Sequence, residues 1–244
     1  MDDTAVHTTW VGGPLLGFDT ETTGVDVHSD RIVTAAVVLR TATTTDVRTW
    51  LIDPGMAIPA EAAAIHGVTT EHARAHGAPP RQALAEIAAV LAEHTRAGVP
   101  VVAYNAAFDL TLLDAELARH GLPTLPERLG RPVAPVLDPL VIDRWRDRYR
   151  QGKRRLGDLV DLYGIAGEGE LHSADVDVLA TLDVLDAQLL QYPDLRAVAL
   201  DALHSAQQDA HRRWADNFNA WRRTQGLPGP GASPAWPVEP PAAG

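Results

Sequence analysis

The stretch GFDTETTG, residues 17–24, decides how this chain is read. It sets two acids, Asp19 and Glu21, one residue apart just where an apolar run ends. With Leu15 and Leu16 ahead of it, the segment reads as a strand entered through Gly12 and Gly13. Residues i and i+2 of a strand share a face, so the two carboxylates project together while Phe18 and Thr20 point towards the core. Two carboxylates side by side and partly desolvated repel, and one is pushed to take a proton. A divalent cation removes the conflict, because hard cations such as Mg2+ choose carboxylate oxygen. A solvent-exposed strand end that tolerates two acids explains the pair equally well.

Outward from this strand, RIVTAAVVLR (31–40) is apolar on both faces and reads as a central strand. DVRTWLI (46–52) follows a Thr-rich turn as a third, more exposed strand, and the three form an antiparallel meander. The period then changes. Leu84, Ile87, Leu91 and His94 lie at helical spacing within 81–98, and Gly98 ends that helix. VPVVAYN (99–105) is a buried strand, 106–121 a helix closed by Gly121, and a short strand follows near Val136 and Leu137. LGDLVDLYGI (156–165) is a short helix and 173–191 a longer one. Three strands followed by alternating helix and strand predict a mixed α/β sheet.

The 244 residues suit one large domain with an extension, or two small ones. We read residues 1–192 as one domain and 193–225 as a C-terminal helix packed on it. That helix carries Gln207, His211, Trp214, Phe218 and Trp221 as one stripe. Residues 226–244 hold too much proline and glycine to pack and read as a disordered tail. The absence of cysteine excludes disulfides, thiolate nucleophiles and cysteine-based zinc sites. No apolar run approaches the roughly 20 residues of a membrane span. The N-terminus is acidic and polar, unlike a secretory signal, so a soluble cytoplasmic protein without membrane contact is expected. A net charge of −11 argues against coating nucleic acid nonspecifically, but not against an enzyme that grips a short piece of it.

Three further residues carry chemistry. Asp109 lies in the first turn of the helix after the strand VVAYN, where an acid complements the helix dipole and where α/β folds also build sites. Asp177 lies in the opening turns of another helix, on a strip that solvent alone would explain. His172 precedes that helix, with Ser173 as its N-cap, and an imidazole titrating near neutral pH can take a proton from water. The segment RWRDRYRQGKRR (144–155) sets seven basic residues against Asp147 alone. Interleaved with Trp145 and Tyr149, it suits a strip that tracks a nucleic-acid backbone, or else a solvated or internally paired face.

Taken together, FDTETTG, NAAFDLTLLD and HSADVD resemble, in order and spacing, the three motifs of the DnaQ-like (DEDDh) 3′–5′ exonucleases. That family includes the proofreading epsilon subunit of bacterial DNA polymerase III. The resemblance runs from about residue 15 to 191, and His-x-Ala-x-x-Asp marks the histidine branch. IHGVT (65–69) is similar to a segment of proofreading-type members, and LGDLVDLYGI to their helix before the third motif. The resemblance implies an α/β fold of ribonuclease H-like type, a mixed five-stranded sheet flanked by helices. It implies that Asp19, Glu21, Asp109 and Asp177 bind two Mg2+ or Mn2+ ions, and that His172 is the general base. Thr22, His66, Asn105 and Phe108 are weaker candidates for holding the terminal nucleotide; His66 would equally cap a loop. The implied partner is a nucleic-acid 3′ end, DNA favoured over RNA, with a DNA polymerase or replication partner alongside. Two rivals stay open: an exoribonuclease of RNase T or oligoribonuclease type, and a non-catalytic polymerase accessory subunit.

Overall fold

The strand that carries the two acids, β1 (Leu15–Thr22), lies in the middle of its sheet. The computed structural model describes residues 10–166 and 172–240. Beside β1 run β2 (Ile32–Arg40), β3 (Thr45–Leu51), β4 (Val101–Val102) and β5 (Val136–Leu137), in the order β3-β2-β1-β4-β5. β1, β2 and β3 form the expected antiparallel meander, and β4 and β5 run parallel to β1. The mixed five-stranded sheet is therefore as the sequence predicts. The strand expected over 99–105 shortens to two residues, because Asn105 turns into the left-handed region at φ 62° and starts a helix.

The helices in chain order are α1 (Ala60–His66), α2 (Thr70–His76), α3 (Pro80–Arg96), α4 (Ala106–Arg119), α5 (Leu125–Leu129), α6 (Pro139–Arg146), α7 (Leu156–Tyr163), α8 (Ala174–Gln191) and α9 (Leu200–Thr224). Strand alternation sends β1 into two cores at once. Leu16 and Phe18 pack with Leu84 and Leu91 of α3 and Leu110 and Leu113 of α4 on one face. Leu15 packs with Val178, Leu182, Leu185 and Leu189 of α8 on the other. The α8 residues recur at helical spacing, so one stripe of that helix covers the sheet.

Gly17 sets how closely α8 approaches. A Cβ at that position would lie 2.3 Å from Val178 Cγ1 and 3.2 Å from Leu182 Cδ1. Only a residue without a side chain lets the helix settle there. Asp19 and Glu21 follow Gly17 on the same face, and Asp177 precedes Val178 on the helix.

Two expectations about the C-terminus need correction. The single helix over 193–225 is a 3₁₀ turn, Pro193–Ala197, followed by α9 after a break at Val198 and Ala199. The segment read as a disordered tail packs through residues 226–240 without regular structure. Trp236 is 3% exposed within the α3–α4 core, and its indole Nε1–H donates to Asp138 Oδ2 at 3.2 Å. Asn219 of α9 brackets Ala232 with two bonds of 2.8 Å, and His211 meets the Ser233 carbonyl at 3.0 Å. The Glu239 amide donates to Thr111 Oγ1 at 2.9 Å. Proline and glycine suppress helix and strand, but one large aromatic surface with a polar edge is enough to seat an irregular segment. Residues 1–9, 167–171 and 241–244 lie outside the described residues, and the expectations for the chain ends fall partly there.

Candidate active site

The acids of β1 sit where the parallel strands end and helices begin. Asp19 and Glu21 are half-buried on the α8 side of β1, and Asp177 of α8 faces them. One carboxylate oxygen from each of Asp19, Glu21 and Asp177 lies within 4.8 Å of the others. Asp109, 4% exposed, lies outside that group of three. It reaches the strand end from the α4 side, where its Oδ1 accepts the Thr20 hydroxyl at 2.6 Å and the Thr20 amide at 3.1 Å. Asp19 and Glu21 thus come from one face of β1, and Asp109 is tied to Thr20 on the other, near enough for its charge to act on Asp19.

The electrostatics follow from crowding. Burial, then the charges of Asp109, Asp177 and Glu21, push the Asp19 carboxyl well above the ordinary range. Burial and the Asp177 charge push Glu21 up to about 7. Burial pushes Asp109 up to about 7 against the opposing pull of the Thr20 hydrogen bonds. Burial also raises Asp177, and the His172 amide partly offsets it. Among the described residues no lysine or arginine forms an ion pair with any of these four acids. Clustered carboxylate oxygens, crowded by one another and lacking a basic partner, are the donor set that hard divalent cations take.

His172 is exposed, and its backbone N–H donates to Asp177 Oδ1 at 3.2 Å. Its φ of 100° is one that residues with side chains rarely adopt. The sharp turn puts the residue beside the acid rather than one turn away along a continued helix.

The candidate nucleotide residues divide. Thr22 is committed locally, donating to the Gly24 carbonyl at 2.6 Å. His66 Nδ1 accepts the Val68 amide at 3.2 Å, the loop-capping alternative, while its buried Nε2, near the Thr22 backbone, makes no well-formed hydrogen bond among the described residues. Burial lowers the His66 pKa, and the Thr22 backbone opposes that shift. Asn105 is exposed at the start of α4, and Phe108 is half-buried one residue before Asp109. Two residues escape a reading of the sequence. Thr20 reads there only as a core-facing residue, whereas it holds Asp109. Asp138, 1% exposed, accepts the amides of Asn105 at 3.1 Å and Ala106 at 2.9 Å, and so fixes the cap of α4. An acid between β5 and Pro139 carries the ordinary signal of a helix N-cap, which it also is.

The basic segment is largely spent inside the protein. Arg150 and Arg154 both pair with the fully buried Asp143. Arg146 grips Asp194 through two bonds of 2.7 and 2.9 Å, and Arg144 lies 3.7 Å over the Trp214 ring. Arg148, Lys153 and Arg155 remain exposed. The expectation of a continuous backbone-tracking strip is corrected to these three cations beside the exposed Tyr149, because buried acids and rings claim the others.

A family described as Exonuclease matches residues 16–185. The chain is 34% identical over 166 residues to the PolC-type DNA polymerase III of Streptococcus thermophilus, 67% of this chain and 10% of that protein. The Streptococcus pneumoniae counterpart is 31% identical over the same length. The chain therefore spans about a tenth of the length of the curated relatives it matches. Among solved structures, E. coli exonuclease I in complex with a dA16 oligonucleotide aligns with a TM-score of 0.64 at 19% identity, covering 82% of this chain and 44% of that one. Exonuclease I from Methylocaldum szegediense aligns with a TM-score of 0.61 at 23% identity, covering 75% and 42%. These likenesses establish the ribonuclease H-like fold. No described helix is long and apolar enough to cross a membrane.

Proposed function

This chain belongs to the exonuclease family, among its DnaQ-like DEDDh members, and from that premise we propose that it trims nucleic acid from the 3′ end, DNA in preference to RNA, releasing nucleoside 5′-monophosphates. The observation that carries the reading is the meeting of Asp19, Glu21 and Asp177 oxygens within 4.8 Å; Asp109, tied to Thr20 and acting on Asp19 through its charge, supports a fourth place in the set.

In this reading Asp19, Glu21, Asp109 and Asp177 hold two Mg2+ or Mn2+ ions. When bound, such ions supply positive charge for the crowded carboxylates and the developing charge on the phosphoryl oxygens. The remaining work falls to the chain. His172 accepts the proton of the attacking water at a ring nitrogen, and its exposure leaves that ring open to solvent. Water attacks phosphorus in line, and the bond to the 3′ oxygen of the preceding nucleotide breaks. Phe108 offers a ring to the terminal base, and His66 Nε2, near the Thr22 backbone, offers one polar contact at the pocket wall. No protein nucleophile is needed. The likeness to polymerase III relatives supports proofreading or repair in the cytoplasm as the setting, with a polymerase as partner.

The test uses 5′-labelled single-stranded DNA, duplex DNA and RNA with Mg2+, Mn2+ or EDTA. A ladder shortening from the 3′ end is expected, abolished by EDTA and by Asp19→Ala. His172→Ala is expected to keep metal and substrate binding and lose most of the rate. Cleavage that persists in EDTA, or in Asp19→Ala, would end the proposal. Faster trimming of RNA than of DNA would favour the exoribonuclease rival.

A further inference from the structure

The C-terminal segment closes on the helix that carries Asp109. Trp236 donates its indole N–H to Asp138 Oδ2, the oxygen that also accepts the Ala106 amide, while Asp138 Oδ1 takes the Asn105 amide. Asn105 is the N-cap of α4 and Ala106 its first residue, and Asn105 holds the left-handed φ of 62° from which the helix departs. Three residues on from Ala106 stands Asp109. A second tether lands farther along the same helix, where the Glu239 amide donates to Thr111 Oγ1 at 2.9 Å. The segment is itself anchored on α9, through Gln208 Nε2 to the Trp236 carbonyl at 3.1 Å and through Asn219 to Ala232. Asp138 is held from behind by Gln207 of α9, which accepts its amide at 2.8 Å.

We propose that residues 227–240 form a brace in which Trp236, acting through Asp138, is a positioning residue for the first turn of α4 and hence for Asp109 and Phe108. The coupling is mechanical. A buried carboxylate with several N–H donors has one arrangement that satisfies all of them. Removing one donor frees Oδ2 to move, and the Ala106 amide moves with it. Because Asp109 sits within one helical turn of that cap, its carboxylate shifts against Asp19. A displacement well below an ångström-scale rearrangement of the fold is enough to weaken a constellation that needs fixed geometry. The segment thus does more than cover apolar surface.

The inference rests on the exonuclease reading, and its test separates the two. Trp236→Phe keeps the buried ring and removes the N–H. It is expected to lower kcat about tenfold with KM nearly constant, and to weaken Mn2+ binding by about fivefold in calorimetry, as loss of a hydrogen bond to a charged acceptor would. Leu195→Ala, just beyond the far end of α8 from Asp177 and 1% exposed, is the control: it lowers Tm at least as much and changes neither quantity. Should Trp236→Phe fail to fold, Thr111→Val removes only the second tether and is expected to weaken Mn2+ binding about threefold. Unchanged kcat and Mn2+ affinity in a folded Trp236→Phe would overturn the brace, as would equal losses in Leu195→Ala. A wild-type protein that binds Mn2+ but trims neither DNA nor RNA would sink the exonuclease reading instead, with the calorimetric comparison still deciding the brace.

Discussion

Thr20 and Asp109, 89 positions apart in the chain, share one carboxylate oxygen: the threonine hydroxyl reaches it at 2.6 Å and the threonine amide at 3.1 Å. Thr20 points away from Asp19 and Glu21 on the strand, so this pair ties the fourth acid to the opposite side of the same strand end. Thr20→Val keeps the shape and the amide bond but removes the hydroxyl. A hydrogen bond to a charged group contributes about 1.5–3 kcal/mol, and about 1.4 kcal/mol is tenfold in rate. kcat is expected to fall about tenfold or more, and Tm to fall by several degrees as well, because the buried Asp109 carboxylate loses a donor. Thr20→Ser is expected to restore most of the rate. Steady-state kinetics on single-stranded DNA checks this, and full activity in Thr20→Val would show that Asp109 needs no such support.

Gly17 governs the other half of the site. Its missing Cβ is what allows Val178 and Leu182 to lie against β1, and Asp177 is the neighbour of Val178. Gly17→Ala is expected to push α8 outward, costing about 1–3 kcal/mol as overpacking does. Trimming activity should fall further than stability, because Asp177 moves with the helix. Thermal unfolding beside Mn2+ calorimetry measures both. Wild-type metal affinity in Gly17→Ala would show that α8 tolerates the shift.

The legible part of this fold was the part written in local periods. Alternation in β1 and the apolar run of β2 predicted the meander, and helical spacing predicted α3, α4 and α8. The acids were readable because strand parity places Asp19 and Glu21 together without any tertiary knowledge. What was not legible depends on contacts between distant residues. Trp236 lies 98 positions from Asp138, and proline-rich surroundings hide its anchoring role behind a composition that reads as disorder. Arginines 146, 150 and 154 looked free because their acids, Asp194 and the buried Asp143, belong to other turns of the fold or to an apolar-looking stretch. Short helices such as α1 and α2 hold too few buried residues to leave a periodic trace.

The arginine cluster predicts a division of labour. Arg150→Ala with Arg154→Ala strands the buried Asp143 carboxylate. Breaking such a buried pair costs roughly 3–5 kcal/mol, so the double variant is expected to unfold at much lower denaturant. The exposed Arg148, Lys153 and Arg155 are different. Replacing all three with alanine should leave stability intact and, if they meet phosphates, flatten the salt slope of single-strand binding by about 2. An unchanged slope would remove this segment from the nucleic-acid interface altogether.

The crowded acids make stability depend on pH in the sense opposite to ordinary carboxylates. Glu21 and Asp109 are pushed up to about 7, from ordinary values of 4.5 and 3.8. Between those limits the folded chain keeps protons that the unfolded chain has released, so their contribution to stability falls as pH rises towards 7 and then levels off. Four histidines whose pKa values burial lowers, His66, His120, His204 and His211, push the other way below about 6.5. Comparison with Asp19→Asn cancels them, since they act alike in both proteins. That variant removes one of the repelling charges, and it should be more stable than wild type in EDTA at pH 8, by about 3 °C for each kcal/mol relieved, with the gap closing towards pH 5. Mn2+ should reverse the order. Cations displace the retained protons, so the rise in wild-type Tm on adding Mn2+ grows with pH from 5 to 8, while Asp19→Asn gains little and trims nothing. Scanning calorimetry at four pH values, with EDTA and with Mn2+, measures both gaps. A metal-induced shift that is the same at pH 5 and pH 8 would mean that these carboxylates ionise freely in the folded protein and that crowding does not set their chemistry.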